Sequence, residues 1–166
     1  QNCYWRMNME SEKFMLMVTY GQISAFRDDL PQPFNDWRQE HVDQGFAWRD
    51  GSASFRTLSE SGQHMVEISA SIEEPELGSD VVRSIKVPFE VRSGSGVEIA
   101  SISESVSVSL PAGVYSLRCD FLDGEKSGVF PVKLIFSKCD HPIFEIVRAD
   151  SEIVAMKNLV LSADPA

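Results

Sequence analysis

The stretch HMVEISASIE, residues His64–Glu73, indicates the fold class, because apolar residues recur at every second position. Val66, Ile68 and Ala70 fall on one side of an extended chain, and the residues between them fall on the other. This period of two is typical of a β-strand with one face in the core and one face in solvent. We therefore expect the core of the protein to be built from sheets.

The same alternation recurs along most of the chain, and turn residues separate the runs. Beyond His64–Glu73 it is seen in the runs 81–91, 97–110, 115–121 and 130–136. The runs 143–148 and 154–161 complete the predicted strands, the last as a run of mixed apolar residues that suits a central or terminal strand. Pro88 predicts a sheet edge or a bulge, and the alternating serines of 101–109 predict a strip that faces solvent or a partner. Together these runs predict an all-β fold, an antiparallel β-sandwich or flattened barrel of about eight to ten strands with one short helix in a long loop.

Upstream of these strands, residues Tyr20–Phe55 predict a long ordered loop that is rich in aromatic residues. Leu30–Pro33 interrupts regular structure, and Asp36–Gln44 is long enough for two turns of helix, with Asp36 as the cap. Asp50–Gly51 is typical of a tight turn. Because its phenylalanine and tryptophan side chains are costly to leave in water, we expect the loop to pack onto a sheet.

The length of 166 residues is that of one domain with one core. We assign residues 1–13 to an N-terminal extension, residues 14–161 to a single β-sandwich domain and residues 162–166 to a C-terminal tail. The composition, 43% hydrophobic and 24% charged, is that of a folded protein, and no apolar run is long enough to span a bilayer. The first residues lack the apolar core of a signal peptide, so we expect a cytoplasmic protein with no membrane partner.

The chain carries a formal net charge of -10, from 25 acidic and 15 basic residues. Such a surface repels phosphates, which argues against direct binding to nucleic acid or to an anionic membrane. The expected partner is therefore neutral or basic, although acidity alone also serves to keep a protein soluble.

The sequence contains no pattern that is typical of catalysis or of metal binding. Cys3, Cys119 and Cys139 form no CxxC pair. The histidines are His41, His64 and His141. Each occurs singly, and we expect each at the surface or in a turn. The glycines of Arg92–Gly96 open a strand instead of a helix, which indicates a hairpin turn and not a phosphate-binding loop. We therefore predict a protein that has no cofactor, no metal and no enzymatic activity.

Several short motifs occur in the same order as in a known family. They are Tyr20–Gln22, Asp36–Trp37, Gly45–Gly51, Phe55, Val87–Phe89 and Leu110–Leu117. In order and spacing they resemble the competence protein J family over roughly residues 14–122. That family is known as the inhibitor of a DNA-entry nuclease. The resemblance therefore implies a protein that binds a cognate DNase and silences it, in competence or as the immunity partner of a nuclease toxin.

The segment Glu60–Asp80 contains six acidic residues and no lysine or arginine. A nuclease holds a phosphate backbone in a basic cleft, so fixed carboxylates are attracted to that cleft and block it. The residues that we expect to meet the nuclease there are Glu67, Glu73, Glu74, Glu76 and Asp80. The other interpretation of this segment is a solvated acidic hairpin that has no partner.

The aromatic loop offers a competing set of partner-binding residues. Trp37, Trp48 and Arg49 are of the types that often dominate the energy of an interface, although large aromatic residues here also suit a plug at the end of a sandwich core. The main rival function is a sandwich that recognises a glycan or a secretion-system protein and has no nuclease partner. A third candidate function is that of a hydrolase with dispersed carboxylates. The sequence leaves the oligomeric state open.

Overall fold

The computed structural model describes residues 11–124, 127–154 and 158–166, which form two β-sheets and one short helix. The helix α1 is Gln39–Gln44, and the described strands are β1 (Glu12–Val18), β2 (Gln22–Arg27), β3 (Phe46–Arg49), β4 (Ser52–Arg56), β5 (Gly62–Ser71), β6 (Val81–Val91), β7 (Val97–Ala100), β8 (Ser105–Val108), β9 (Gly113–Leu122), β10 (Phe130–Lys138) and β11 (Glu145–Arg148). The two sheets enclose one core and do not join into a barrel. The predicted all-β sandwich is therefore confirmed.

The connection between β5 and β6 follows from the order of the strands. The first sheet has the order β1-β5-β10-β9-β6-β11, and the second has the order β3-β4-β2-β7-β8. Each described pair is antiparallel except β5 with β10, which is parallel. Strands β5 and β6 therefore point the same way, and the chain has to cross the sheet to connect them. The crossing segment, Ile72–Asp80, contacts the outer face of the first sheet and is named the acidic strap.

Aromatic and branched aliphatic side chains fill the space between the sheets. The largest fully buried aromatic residues are Phe46, Phe55, Phe89, Tyr115, Phe121 and Phe136. Phe136 makes edge-to-face contacts with Phe89 and Tyr115, at ring-centroid distances of 5.7 and 5.9 Å. Tyr115 donates its hydroxyl to the carbonyl of Pro111 at 2.6 Å, and burial raises the pKa of Tyr115 to about 12. Full burial of each such side chain stabilises the fold by about 1.5–3 kcal/mol.

The segment Tyr20–Phe55 is more regular than the single long loop that the sequence predicts, because it contains β2, β3 and β4 beside α1. Its irregular part is residues 28–38, which covers the outer side of the second sheet. There Asn35 is buried and donates to the carbonyls of Ala47 and Ser52 at 2.9 and 3.2 Å. Strand β2 is buried on both faces as a result, so its sequence shows no clean alternation.

Asp36 does not cap the helix, which corrects the prediction for that residue. The N-cap is Arg38, whose backbone N–H donates to Nδ1 of His41 at 2.9 Å. Nε2 of the same ring lies 2.9 Å from the carbonyl of Ser162, so the ring proton is on Nε2 and Nδ1 is free to accept. The helix ends at Gln44 and is capped by Gly45, whose φ of 88° is left-handed and favours glycine.

Two of the three histidines are buried, which corrects their predicted surface positions. His41 fixes the start of the helix by accepting from the Arg38 N–H. His64 lies in β5, and its ring stacks on the ring of Phe130 at a centroid distance of 5.2 Å. His141 is exposed, in the turn that follows β10. A single histidine in a strand is therefore used here as a core residue.

The run 97–110 is a hairpin and not one strand. A turn at Ser101–Glu104 joins β7 to β8, with the Ser101 N–H donating to the carbonyl of Glu104 at 2.9 Å. Ser101 is buried and donates its hydroxyl to the carbonyl of Met17 at 2.6 Å. The predicted serine strip is therefore interrupted, although Ser105 and Ser107 on β8 are exposed.

The C-terminal residues 158–166 lie against the helix and the irregular loop. Oε1 of Gln44 accepts from the N–H of Val160 at 2.8 Å, and the Asp36 N–H donates to the carbonyl of Asp164 at 2.8 Å. Within the predicted tail, residues 162–166, the carbonyls of Ser162 and Asp164 accept from Nε2 of His41 and from the Asp36 N–H, so the tail is attached to the domain.

Two further predictions concern the ends of the chain. The strand predicted at 154–161 is not formed at its described residues, and its residues 155–157 lie outside the described part of the chain. Strand β1 already begins at Glu12, within the predicted extension, while residues 1–10 also lie outside the described residues.

Candidate functional site

Arg118 on β9 fastens the acidic strap to the outer face of the first sheet. Its Nη1 donates to Oε2 of Glu74 at 2.9 Å and to the carbonyl of Pro75 at 2.8 Å. Its Nε and Nη2 each donate to the buried carboxylate of Asp120 at 3.0 Å, and Ser84 donates its hydroxyl to that carboxylate at 2.6 Å. The guanidinium is itself buried, so this network fixes the middle of the strap in one position.

Basic residues from other strands lie beside the acidic stretch. Nζ of Lys86 on β6 is 3.4 Å from Oε1 of Glu74, which also carries the contact with Arg118. Glu67 on β5 is the register partner of Lys13 on β1 and of Lys133 on β10. The stretch that lacks basic residues in the sequence is therefore partly neutralised in space.

Three carboxylates of the strap remain available to a partner. Glu73, Glu76 and Asp80 are exposed, and none of them forms an ion pair with another residue that the structure describes. Of the five acidic residues predicted to bind a partner, these three therefore contribute most of the local negative charge.

Trp48 and Arg49 make their contacts inside the domain. Nε1 of Trp48 donates to the carbonyl of Pro88 at 2.7 Å, and its ring meets Phe144 edge to face at a centroid distance of 5.0 Å. Pro88 lies beyond the part of β6 that pairs with β11, which is the edge position that was predicted. Nε of Arg49 donates to Oδ1 of Asn35 at 2.8 Å. These contacts favour the interpretation of both residues as a plug that joins the loop to the sandwich.

Trp37 instead lines a groove at the end of the sandwich, with a volume of about 250 Å³. The groove, named the aromatic groove, is lined by Tyr20, Gly21, Gln22, Trp37, Val42, Arg56 and Glu60. Nε1 of Trp37 donates to Oε1 of Gln22 at 3.3 Å, and its ring meets the His41 ring edge to face at 6.5 Å between centroids. These contacts hold the indole in a fixed position at the wall of the groove.

Tyr20 is displayed at the rim of this groove in a strained conformation. It is 74% exposed, and its φ of 59° is left-handed, which is uncommon for a bulky side chain. The N–H of Gly21 donates to the carbonyl of Glu60 at 2.7 Å, and the N–H of Thr57 donates to the carbonyl of Gly21 at 3.0 Å. Such strain costs about 1–3 kcal/mol and is concentrated at functional sites.

The two charged residues of the groove differ in how they are engaged. Nη1 of Arg56 donates to the carbonyls of Val42 and Glu152 at 3.3 and 3.2 Å, and its Nη2 lies 3.8 Å from the Glu152 carboxylate. The carboxylate of Glu60 is exposed and forms no ion pair within the described ranges of the chain. Because Arg56 and Arg83 share the carboxylates of Glu152 and Asp150, the unpaired charge of the groove among the described residues is that of Glu60.

The aromatic groove and the acidic strap are separate surfaces. Glu60 precedes strand β5, whereas the strap follows it. The ten residues of that strand span roughly 30 Å. The two sets of residues that the sequence offered as competitors are therefore not parts of one cluster.

Among the residues of the groove, sequence reasoning identified Trp37 and missed the others. Tyr20 and Gln22 come from one segment and Arg56 and Glu60 from another, and only folding brings both beside Trp37. The available signal was the pair Tyr20-Gly21, a large aromatic residue in a tight turn where no core position is expected.

The described residues contain no group of three or more His, Cys, Asp or Glu side chains that could hold a metal ion. No helix among them is long and apolar enough to cross a membrane. Cys119 and Cys139 are free, and burial raises the pKa of the Cys119 thiol, which keeps it protonated and unreactive.

Comparisons with known proteins agree on one family. The family model of Competence protein J (ComJ) matches residues 15–138. The DNA-entry nuclease inhibitor of Bacillus subtilis (strain 168) is 30% identical over 113 residues, which is 68% of this chain and 83% of the relative. The crystal structure of ComJ, inhibitor of the DNA degrading activity of NucA, from Bacillus subtilis superposes with a TM-score of 0.63 at 24% identity, covering 76% of this chain and 97% of that chain.

Proposed function

The chain belongs to the competence protein J family, and from that membership we propose that it is an inhibitor that binds a DNase and blocks degradation of DNA. The observation that carries the proposal is the 30% identity to a DNA-entry nuclease inhibitor over 83% of that protein's length. Inhibition needs binding alone, so the chain acts without catalysing a reaction. Its cognate DNase is a protein partner in competence.

The charge of the chain supports this partner. A DNase that grips a phosphate backbone presents basic side chains, and an inhibitor of net charge -10 is attracted to them. We place the carboxylates of Glu73, Glu76 and Asp80 toward the DNA-binding cleft, since they are exposed and lack ion-pair partners among the described residues. Glu67 and Glu74 have basic neighbours and contribute less to this attraction.

A DNA-degradation assay tests the inhibitor function directly. The DNase encoded beside this chain is mixed with DNA, with and without an equimolar amount of the protein, and complex formation is followed by size-exclusion chromatography. We expect a one-to-one complex and loss of DNA cleavage. Full cleavage in the presence of a large excess of folded protein would overturn the proposal, and binding to a glycan array would then favour the rival function.

Charge reversal tests the surface separately from the function. The variant Glu73→Lys/Glu76→Lys/Asp80→Lys is compared with Glu12→Lys/Glu90→Lys/Asp140→Lys, which changes the net charge equally at exposed positions elsewhere. If the strap docks on the cleft, the first variant associates about tenfold more slowly than the control variant. Equal association rates for both variants would show that the strap is not part of the interface. Such a result would not contradict the proposed inhibitor function.

A further inference from the structure

The aromatic groove has the chemistry of a site for a cation that is carried on a protein side chain. Tyr20 and Trp37 supply two aromatic rings, and a guanidinium or ammonium group within about 6 Å of a ring is attracted to its face. Glu60 supplies a carboxylate that has no ion-pair partner in the described part of the chain. The positive charge of Arg56 is opposed by Glu152 at 3.8 Å. That carboxylate also pairs with Arg83 at 3.2 Å, while Asp150 is the second partner of Arg83 at 2.9 Å. A basic group therefore suits the groove better than an acidic or apolar one.

We propose that the aromatic groove receives an arginine or lysine side chain of the DNase, with Glu60 as the counter-ion and Tyr20 and Trp37 as the walls. The inference rests on the proposed function, because the entering side chain belongs to the inhibited enzyme. The volume of about 250 Å³ suits one long side chain. Enzymes that hold phosphates carry such side chains around their clefts, so the partner has them to offer.

The groove is formed before a partner arrives. Hydrogen bonds fix the indole of Trp37 to Gln22, and the backbone of Gly21 to Glu60 and Thr57. A preformed site loses less conformational entropy when it binds. The strained and exposed Tyr20 is explained by this role, because its ring buries little surface within the described domain.

The groove and the strap then have different tasks. Exposed carboxylates on the strap act over a distance and raise the rate of association. A side chain held in the groove by two rings and a carboxylate slows dissociation, since it must leave the groove before the complex separates. Variants of the two surfaces should therefore differ in which rate constant they change.

The test uses two variants, each with a matched control. Tyr20→Asn removes the ring and places a residue that tolerates a left-handed φ, whereas Tyr20→Phe keeps the ring. Glu60→Gln removes the charge and keeps the shape, whereas Glu90→Gln removes an exposed charge elsewhere. Dissociation constants for the DNase encoded beside this chain are measured by surface plasmon resonance, on variants whose thermal unfolding shows them to be folded.

We expect Tyr20→Asn and Glu60→Gln each to bind about tenfold more weakly, through faster dissociation, and Glu90→Gln to stay within about twofold of the unchanged protein. Tyr20→Phe keeps the ring and should bind more tightly than Tyr20→Asn. In the double variant the combined loss should be smaller than the product of the single losses, because both groups hold the same cation. If the losses in affinity multiply in the double variant, Tyr20 and Glu60 do not contact the same cation. Unchanged binding in either single variant would also contradict the proposal.

The outcome also separates this inference from the function on which it rests. An unchanged protein that neither binds nor inhibits the DNase contradicts the inhibitor function. An unchanged protein that inhibits, together with groove variants that inhibit equally well, contradicts the groove alone.

Discussion

His64 is a residue whose protonation depends on its position in the fold. The ring is fully buried in β5, and Nδ1 donates to the carbonyl of Gly62 at 3.0 Å. Burial lowers the pKa of His64 from its ordinary value of 6.5, because a charged imidazole is poorly solvated in the core. The folded protein therefore favours the neutral ring.

Acidification is expected to lower the free energy of unfolding through this residue. The unfolded chain binds more protons than the folded protein between the two pKa values of His64, so stability falls as the pH drops below 6.5 and levels off below the folded pKa. Urea unfolding at several pH values between about 5.5 and 8 measures the effect. His64→Leu cannot titrate and should lose this dependence, whereas His141→Asn, at an exposed site, should keep it. If His64→Leu kept the pH dependence of the unchanged protein, the loss of stability in acid would not come from His64.

At the scale of elements, the acidic strap depends on side chains of the sheet that it crosses. It has no strand pairing of its own, and its middle is held by the contacts of Arg118 with Glu74 and Pro75. The same guanidinium neutralises the buried Asp120. A crossing that parallel strands require is thus stabilised by a buried charge pair in the strand beneath it.

Removing Arg118 is expected to destabilise the protein by about 3–5 kcal/mol, because Arg118→Met leaves the Asp120 carboxylate buried without its partner. The double variant Arg118→Met/Asp120→Leu removes both charges and should recover much of that loss. Urea unfolding of the two variants gives the comparison. A double variant that is less stable than Arg118→Met would show that the pair contributes more than mutual neutralisation.

At the scale of the whole molecule, the net charge of -10 acts as a long-range field toward a basic partner. That field is screened by salt, with a Debye length of about 10 Å at 0.1 M ionic strength. Since the acidic strap and Glu60 lie on separate surfaces, the field is not confined to one patch.

Raising the salt from about 0.05 to 0.5 M is expected to slow association with the DNase by about tenfold and to change dissociation much less. Stopped-flow or surface plasmon resonance measurements separate the two rate constants. The charge-reversed strap variant should show a smaller salt dependence than the unchanged protein. Association that does not respond to salt would argue that charge has no part in the encounter.

Much of the sandwich could be predicted from patterns of single residues. Val66, Ile68 and Ala70 alternate with polar residues because β5 has one wet face, and a period of two reports such a face directly. Strand β2 escaped the same reasoning because residues 28–38 bury its second face. A strand with two buried faces carries no alternation to read. The turn at Ser101–Glu104 was not predicted, because the alternation of serines continues through it as it would through a strand.

The all-β class and the family motifs are local or sequential properties, so the chain alone was enough to predict them. The charge of a surface and the walls of a groove depend on distances between residues that are far apart along the chain. Arg118 lies 2.9 Å from Glu74, and Tyr20, Trp37 and Glu60 line one groove, although no pattern along the chain connects them. Because an ion pair or a hydrogen bond forms only when its two groups lie within a few ångströms of each other, folding was required to show which carboxylates are neutralised and where a basic side chain can enter.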